Sequence, residues 1–260
     1  MENKSEQQVL STITKAAHRN HEEILPNHQS SFKQTDPEFI AFFDNFAFDE
    51  VIAHDDLPVK TRLIAILAST IGSSSLTEFK VMMGAAMNVG VTPFEIKEIV
   101  YQSVAYVGVA KAIDFLHATN EFLTSKGVTL PLEGQSTTTP DTRMEKGLAV
   151  QKEIFGEAID KMYEQSPKDQ LHIQHFLSGN CFGDYYTRTG LDSKMRELVT
   201  FAILISMGGV ESQVEGHVQG NLNVGNDKQF MLNVITQLLP YIGYPRTLNA
   251  IKSLNKVTTK

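Results

Sequence analysis

A glutamate inside an apolar helical stretch and a histidine on the next predicted helix are the strongest candidates for acid–base chemistry in this sequence. Glu197 is followed by Leu198, Val199 and Phe201, in surroundings where a carboxylate is costly unless it is paired or functional. If it faces His217, Glu197 could hold one tautomer of the imidazole for proton transfer. Each residue also has a structural explanation, because Glu197 could pair with a neighbouring Lys or Arg, and His217 could be an ordinary polar position.

Two further polar residues near this pair are candidates for substrate binding. Gln213 lies one helical turn before His217, so the two share a face of the predicted helix. Its amide could bind a substrate carboxylate or the histidine itself. Arg196 could hold an anionic substrate in the two-pronged grip of a guanidinium. The recurrence of this arginine as Arg62 favours a structural ion pair instead.

Thiol and metal chemistry have weaker support. Cys181 is the single cysteine, which excludes an intrachain disulfide and a Cys-x-x-Cys redox pair. Two pairs of histidines, His18 with His21 and His172 with His175, are spaced for one helical face. Neither pair has an obvious third ligand, so no metal site and no cofactor are predicted.

The composition is that of a globular protein, with 42% hydrophobic and 20% charged residues and a net charge of −7. No basic patch indicates nucleic acid as a partner, and no apolar run is long enough to cross a bilayer. Residues Met1–Gln8 are polar and lack the order of a signal peptide. We therefore expect a cytoplasmic protein.

Blocks of the first half of the chain recur in the second half, in the same order. The matched pairs include Leu57 and Leu191, Lys60 and Lys194, Arg62 and Arg196, Gln102 and Gln237, Tyr106 and Tyr241, and Gly108 and Gly243. Asn88-Val89-Gly90 likewise recurs as Asn223-Val224-Gly225. This collinearity indicates a tandem duplication. Because Tyr241 occurs in both copies, packing beside Gly243 is its favoured role and substrate contact the alternative.

Both copies predict helices. Asp36-Pro37 and Ser166-Pro167 are each typical of a helix start, with a capping residue followed by proline. Thr92 and Glu95 form the pattern of a capping box. Hairpin turn signals between alternating apolar runs are absent, so the fold is predicted to be all-α. Glycines and prolines then mark a linker at residues 126–140 between modules at 8–125 and 141–258.

The second copy resembles the carboxymuconolactone decarboxylase family. The resemblance rests on Arg196-Glu197 on one helix, His217 on the next, the Asn223-Val224-Gly225 exit and the segment Tyr241-Ile242-Gly243-Tyr244-Pro245. Phe182-Gly183-Asp184 also resembles a helix-to-helix corner of that family. In the first copy Leu63 stands in place of Glu197, and Met82 in place of His217. That copy is therefore predicted to keep the fold and to have lost the site.

The resemblance implies a cofactor-free lyase that decarboxylates a small carboxylated lactone or keto acid, with Glu197 and His217 as its acid–base pair. The family also includes alkylhydroperoxidase D-type enzymes, which need two cysteines. Val210 and Gln213 stand at those positions, so peroxidase chemistry is disfavoured. A third interpretation is a non-catalytic module that binds a small molecule or acts in stress responses.

Assembly follows from the same resemblance. Single-module members of the family form hexamers built as trimers of dimers, so a fused pair implies a homotrimer of tandem chains. The expected partner is a small carboxylate, and neither nucleic acid nor a membrane is expected.

Overall fold

The computed structural model describes residues 9–259, and every regular element in that range is helical. Met1–Gln8, on which the argument against a signal peptide rests, and Lys260 lie outside it. The first copy contains α1 (Lys15–Ile24), α2 (Phe32–Thr35), α3 (Pro37–Asn45), a π-helical turn (Phe46–Glu50), a 3₁₀ turn (Ile52–His54), α4 (Val59–Gly72), α5 (Leu76–Asn88), α6 (Pro93–Val107) and α7 (Val109–Ser125).

The second copy repeats this order after residues 126–142, which hold no helix. It contains α8 (Arg143–Phe155), α9 (Ala158–Gln165), α10 (Leu171–Phe176), a π-helix (Leu177–Tyr186), α11 (Ser193–Met207), α12 (Glu211–Asn223) and α13 (Lys228–Thr258). α13 is bent at Gly243, whose φ of 76° is not helical. The prediction of an all-α tandem repeat is confirmed. Between residues 9 and 259, no helix is long and apolar enough to span a bilayer.

Two of the three predicted helix starts are confirmed. The capping box at the start of α6 is complete, because Thr92 Oγ1 accepts from the Glu95 amide at 3.2 Å and Glu95 Oε2 accepts from the Thr92 amide at 2.7 Å. α3 begins at Pro37.

The prediction for Ser166-Pro167 is wrong, because α10 begins only at Leu171. Ser166 instead ends α9, where its hydroxyl donates back to the carbonyl of Met162 at 2.7 Å. That hydroxyl is therefore engaged with the preceding helix and does not cap a following one.

The Asn-Val-Gly segments end equivalent helices in both copies. Gly90 follows α5 with φ of 85°, and Gly225 follows α12 with φ of 89°. These are left-handed conformations that residues with a side chain rarely adopt, which explains glycine at both exits.

The two copies pack together through α4 and α11, which cross closely. A Cβ atom on Gly72 would lie 2.5 Å from the carbonyl oxygen of Ile203, so only glycine allows this approach. Beside it, the hydroxyl oxygens of Ser206 and Ser69 lie 2.9 Å apart, within hydrogen-bond distance. One continuous core of buried side chains extends from Ala17 to Leu254 and includes both copies.

The copies also exchange helices. α6 of the first copy packs on α11 of the second, and α13 of the second packs on α4 of the first. The matched glutamines reflect this exchange, because Gln102 donates to the Arg196 carbonyl and Gln237 to the Val51 carbonyl, each at 2.8 Å. Each copy therefore supplies side chains to the other.

The π-helix lies tightly against α8 through two glycines. A Cβ atom on Gly147 would be 2.0 Å from the Ser178 carbonyl oxygen, and one on Gly183 would be 2.2 Å from the Arg143 carbonyl oxygen. This contact fixes the wide helix, which carries Cys181, Phe182 and Tyr186 into a second, smaller apolar cluster.

Candidate active site

The structure brings Glu197 and His217 together. Glu197 Oε2 lies 2.9 Å from Nδ1 of His217, across the contact between α11 and α12. The Glu197 side chain is fully buried, and the imidazole retains 15% of its exposure. Because a carboxylate accepts hydrogen bonds and does not donate them, the pairing places a proton on Nδ1. Nε2 bonds to no residue within 9–259 and remains available to a substrate.

Tyr186 from the π-helix serves the other oxygen of the same carboxylate. Its hydroxyl donates to Glu197 Oε1 at 2.9 Å. Burial first, and then the neighbouring carboxylate, raise the pKa of Tyr186 well above its ordinary value, so the phenol keeps its proton. Each oxygen of Glu197 therefore faces a donor, which satisfies a carboxylate in the core.

The first copy contributes Tyr106 to this site. Its hydroxyl lies 3.0 Å from that of Tyr186, and its ring meets the His217 ring edge-on at 5.9 Å. Phe155 flanks the imidazole in the same manner at 5.5 Å. Two aromatic rings, one from each copy, thus hold the histidine in its orientation.

The hydrogen bonds around Tyr186 have one consistent direction. Its single proton goes to Glu197, so Thr200, at 2.6 Å, and Tyr106 must both donate to the Tyr186 oxygen. Thr200 in turn accepts from Gln102 Nε2 at 2.8 Å. The donors of both copies therefore lead toward the Glu197 carboxylate.

α12 is shaped to admit that carboxylate. A Cβ atom on Gly220 would lie 2.4 Å from Glu197 Oε2 and 2.8 Å from the Phe155 ring. Asn221 ties the helices together, since its Nδ2 donates to the carbonyls of Glu197 at 3.0 Å and His217 at 2.8 Å. Gly220 thus leaves space for the Glu197 carboxylate, and the Asn221 amide fixes the distance between α11 and α12.

Cys181 lies in this region, but not as a reactive thiolate. The thiol is buried 3.8 Å from the Tyr106 hydroxyl. Burial is the main cause that raises its pKa to about 12. A peroxidatic cysteine needs the opposite shift, so the structure gives a second reason against thiol-dependent chemistry.

The other candidate residues lie in different places. Arg196 is buried and bonds to Glu98 Oε2 at 3.0 Å and to Gln102 Oε1 at 3.0 Å, which is the structural ion pair that the repeat favoured. Gln213 is exposed, and its amide oxygen accepts from Ser212 rather than from the histidine.

Tyr241 lies beside the first copy. Its ring packs edge-on against Phe43 at 6.1 Å, and Glu78, Arg62 and Asp44 are its electrostatic neighbours. Its equivalent, Tyr106, is the tyrosine that the structure brings to His217. The exchange of α6 and α13 explains this placement, because each tyrosine crosses to the other copy.

The equivalent position in the first copy is apolar. Leu63 and Met82, which replace Glu197 and His217, are both buried in the core. Because both members of the pair are replaced, this position of the first copy holds no unpaired buried carboxylate.

Three residues of the site, Tyr186, Thr200 and Tyr106, were missed by the sequence reasoning. Tyr106 recurs in the second copy as Tyr241, but this recurrence indicated a packing role and not a place in the site. Tyr186 had no signal, since it stands at no recurring position and lies in a π-helix.

Comparison with known proteins agrees with this architecture. The sequence pattern of the carboxymuconolactone decarboxylase family matches residues 37–121 and again residues 172–256. The chain belongs to this family. It is 28% identical over 118 residues to 4-carboxymuconolactone decarboxylase of Acinetobacter baylyi (strain ATCC 33305 / BD413 / ADP1), an alignment that covers 45% of this chain and 87% of that protein. The alignment is thus about the size of one copy.

Proposed function

We propose that the protein is a lyase that decarboxylates a small carboxylated lactone or keto acid, with Glu197 and His217 as its acid–base pair. The contact of 2.9 Å between a fully buried carboxylate and Nδ1 of a partly exposed histidine carries the proposal. Family membership and the activity in the relative's name support the reaction class.

The chemistry needs an electron sink and a proton. When the carbon–carbon bond to the carboxylate breaks, CO₂ leaves and the electron pair enters the conjugated carbonyl of the substrate as a dienolate. Nε2 of protonated His217 then donates a proton to the carbon, and solvent restores the proton. Glu197 balances the charge of the imidazolium, and the rings of Tyr106 and Phe155 keep the imidazole in place. No cofactor is required in this scheme.

Substitution of the pair tests the proposal. With 4-carboxymuconolactone as the first substrate, Glu197→Gln and His217→Ala should each lower kcat by about 100-fold or more, the usual contribution of a positioned acid–base group. CO₂ release and substrate loss give the rates, and circular dichroism confirms the fold. Gln219→Ala, an exposed change on the same helix as His217, is the control. Wild-type turnover in both pair variants would show that the site is elsewhere.

We further infer that the chains assemble as a homotrimer. Exposed apolar residues recur at equivalent positions in the two copies, although surface positions have no need to stay apolar after duplication. The pairs are Phe39 and Ile173, Phe42 and Phe176, Val109 and Tyr244, and Ile113 and Leu248.

Light scattering measures the assembly. We expect three times the 28.9 kDa mass of one chain. The double variant Phe42→Asp with Phe176→Asp should give the mass of a single chain at unchanged helical content. A monomeric wild type would contradict the inference.

A further inference from the structure

A cavity of about 330 Å³ lies away from Glu197 and His217, between α6, α7 and the segment that joins the two copies. Its polar lining includes Lys97, Tyr101, Asn120 and Arg188. Phe94 and Pro131 are part of its apolar lining. It is large enough for a small organic molecule.

Four charged side chains line this cavity, the cations Lys97 and Arg188 and the carboxylates Glu98 and Glu133. Glu133 is exposed and forms no ion pair with any residue between 9 and 259, so the paired carboxylate of the lining is Glu98. Glu98 is shared between two guanidinium groups, with Arg188 at 2.9 Å and Arg196 at 3.0 Å. One carboxylate thus balances two cations, in a chain whose net charge is −7.

Lys97 adds a third cation without a carboxylate partner. Its ammonium donates to the neutral amide of Asn120 and lies 5.8 Å from the centre of the Tyr101 ring. Burial lowers the pKa of Lys97, and no neighbouring carboxylate opposes that shift. A partly buried cation with only neutral partners is typical of a site whose counter-ion comes from outside.

The segment that covers the cavity does not use these charges. Residues 126–142 are attached through Gln135, whose carbonyl accepts from the Thr189 amide at 3.1 Å and whose side chain accepts from the Thr189 hydroxyl at 2.6 Å. Between residues 9 and 259, neither Lys97 nor Arg188 forms a hydrogen bond or an ion pair with that segment. Its attachment therefore does not explain why the cations are present.

The repeat shows that the charges are not part of the scaffold either. In the same register that matches Gln102 with Gln237, Lys97 corresponds to Leu232 and Tyr101 to Thr236. In the register that matches Leu57 with Leu191, Arg188 corresponds to His54. The charged set exists only in the half of the molecule where the connecting segment closes a cavity.

We propose that this cavity binds a small organic acid. Its carboxylate or phosphate group pairs with Lys97, beside Arg188, and its apolar body lies against Phe94 and Pro131. The site is separate from the proposed decarboxylase site and does not depend on it.

Calorimetric titration of the full chain tests the proposal with benzoate and phenyl phosphate, and with benzamide as the uncharged match for benzoate. We expect saturable binding of at least one of the two anions and none of benzamide. The anion that binds identifies the acidic group. Lys97→Met, which keeps the length of the side chain, should weaken binding about tenfold or more, the usual loss for a charge-assisted hydrogen bond.

Two variants serve as controls. Lys80→Met removes an exposed charge on α5, and His217→Ala removes the proposed active-site histidine; both should bind the anion as the wild type does. The proposal is overturned if neither anion binds saturably, if benzamide binds equally well, or if Lys97→Met binds like the wild type. It also fails if His217→Ala abolishes binding, because the anion would then occupy the decarboxylase site.

Discussion

Tyr106 brings a hydroxyl group from the first copy to within 3.0 Å of the Tyr186 hydroxyl, and so reaches the Glu197 carboxylate through one intermediate. The matched residue Tyr241 occupies the same place in the repeat but lies beside the first copy. Two residues that the repeat cannot distinguish thus have different surroundings, which makes them a matched pair for experiment.

We expect Tyr106→Phe to lower the free energy of unfolding by about 1 kcal/mol and kcat about fivefold, since the Tyr186 oxygen loses a donor. The pH profile of kcat should shift, because Tyr106 acts through Tyr186 on the carboxylate that holds His217. Denaturant titration and steady-state rates give both numbers. Tyr241→Phe should leave kcat and its pH profile unchanged; equal losses in the two variants would show that the tyrosines only pack.

Cys181 predicts a pH dependence of stability. Its pKa is about 12 in the folded chain and about 9 when unfolded. Below pH 9 both states hold the proton, and the contribution to stability is fully present. Between 9 and 12 the unfolded chain releases the proton while the folded chain keeps it, so stability falls as pH rises.

The free energy of unfolding of wild type should therefore fall more steeply from pH 8.5 to 10.5 than that of Cys181→Ala. The buried tyrosines are common to both chains and cancel in the comparison. Activity near pH 7 should be unchanged in the variant, since the thiol takes no part in the proposed reaction. Equal slopes would show that the thiol ionises in the folded protein, and loss of turnover in the variant would show that the thiol is needed for the reaction.

At the scale of helices, the sequence predicts where a helix begins from its capping residues, but not which way each side chain of an irregular helix faces. The capping box of Thr92 and Glu95 lies within one turn of chain, so the sequence predicts it. Tyr186 belongs to a π-helix, where side chains advance around the axis by a smaller angle than in an α-helix. Helical periodicity therefore cannot place it against Glu197. The helix start predicted at Ser166 was wrong because its hydroxyl bonds to the helix that precedes it and not to the helix that follows.

Two glycines of α12 allow a matched test of how closely this helix must approach Glu197. An added Cβ at Gly220 would meet the Glu197 carboxylate at 2.4 Å, whereas one at Gly216 would meet nothing within 4 Å. Gly220→Ala should destabilise the protein by about 1–3 kcal/mol through overpacking, and it should displace the carboxylate and remove most turnover. Gly216→Ala should instead stabilise the chain by about 0.4–1 kcal/mol. Thermal unfolding and rates separate the outcomes, and intact turnover in Gly220→Ala would refute the predicted crowding.

At the scale of the whole molecule, two copies in the sequence are one body in the structure. The repeat predicts equivalent modules, yet the shared core and the exchange of α6 and α13 make each half incomplete. This part of the fold could not be predicted, because matching positions show that copies are alike and not how they pack. For the same reason, the sequence did not predict that Tyr106 of the first copy belongs to the candidate site of the second.

Separate expression of residues 1–125 and 141–260 tests this interdependence. Each half alone should show little cooperative unfolding, since it would expose the α4–α11 contact and half of the core. Mixing the halves during refolding should restore a cooperative transition and turnover. Proteolytic cleavage between 126 and 140 in the folded chain should leave both intact. A stable, active second half on its own would contradict the prediction.

Because Tyr106 and Tyr186 belong to one chain, the contact between them does not depend on the protein concentration. Were the copies separate molecules, this contact would exist only above the concentration at which they associate. A covalent connection sets a fixed, high local concentration, so the contact persists however scarce the protein becomes. It also removes a constraint on change. In a pair of identical subunits every substitution appears twice. Here each copy changes independently, so the second copy has His217 where the first copy has Met82.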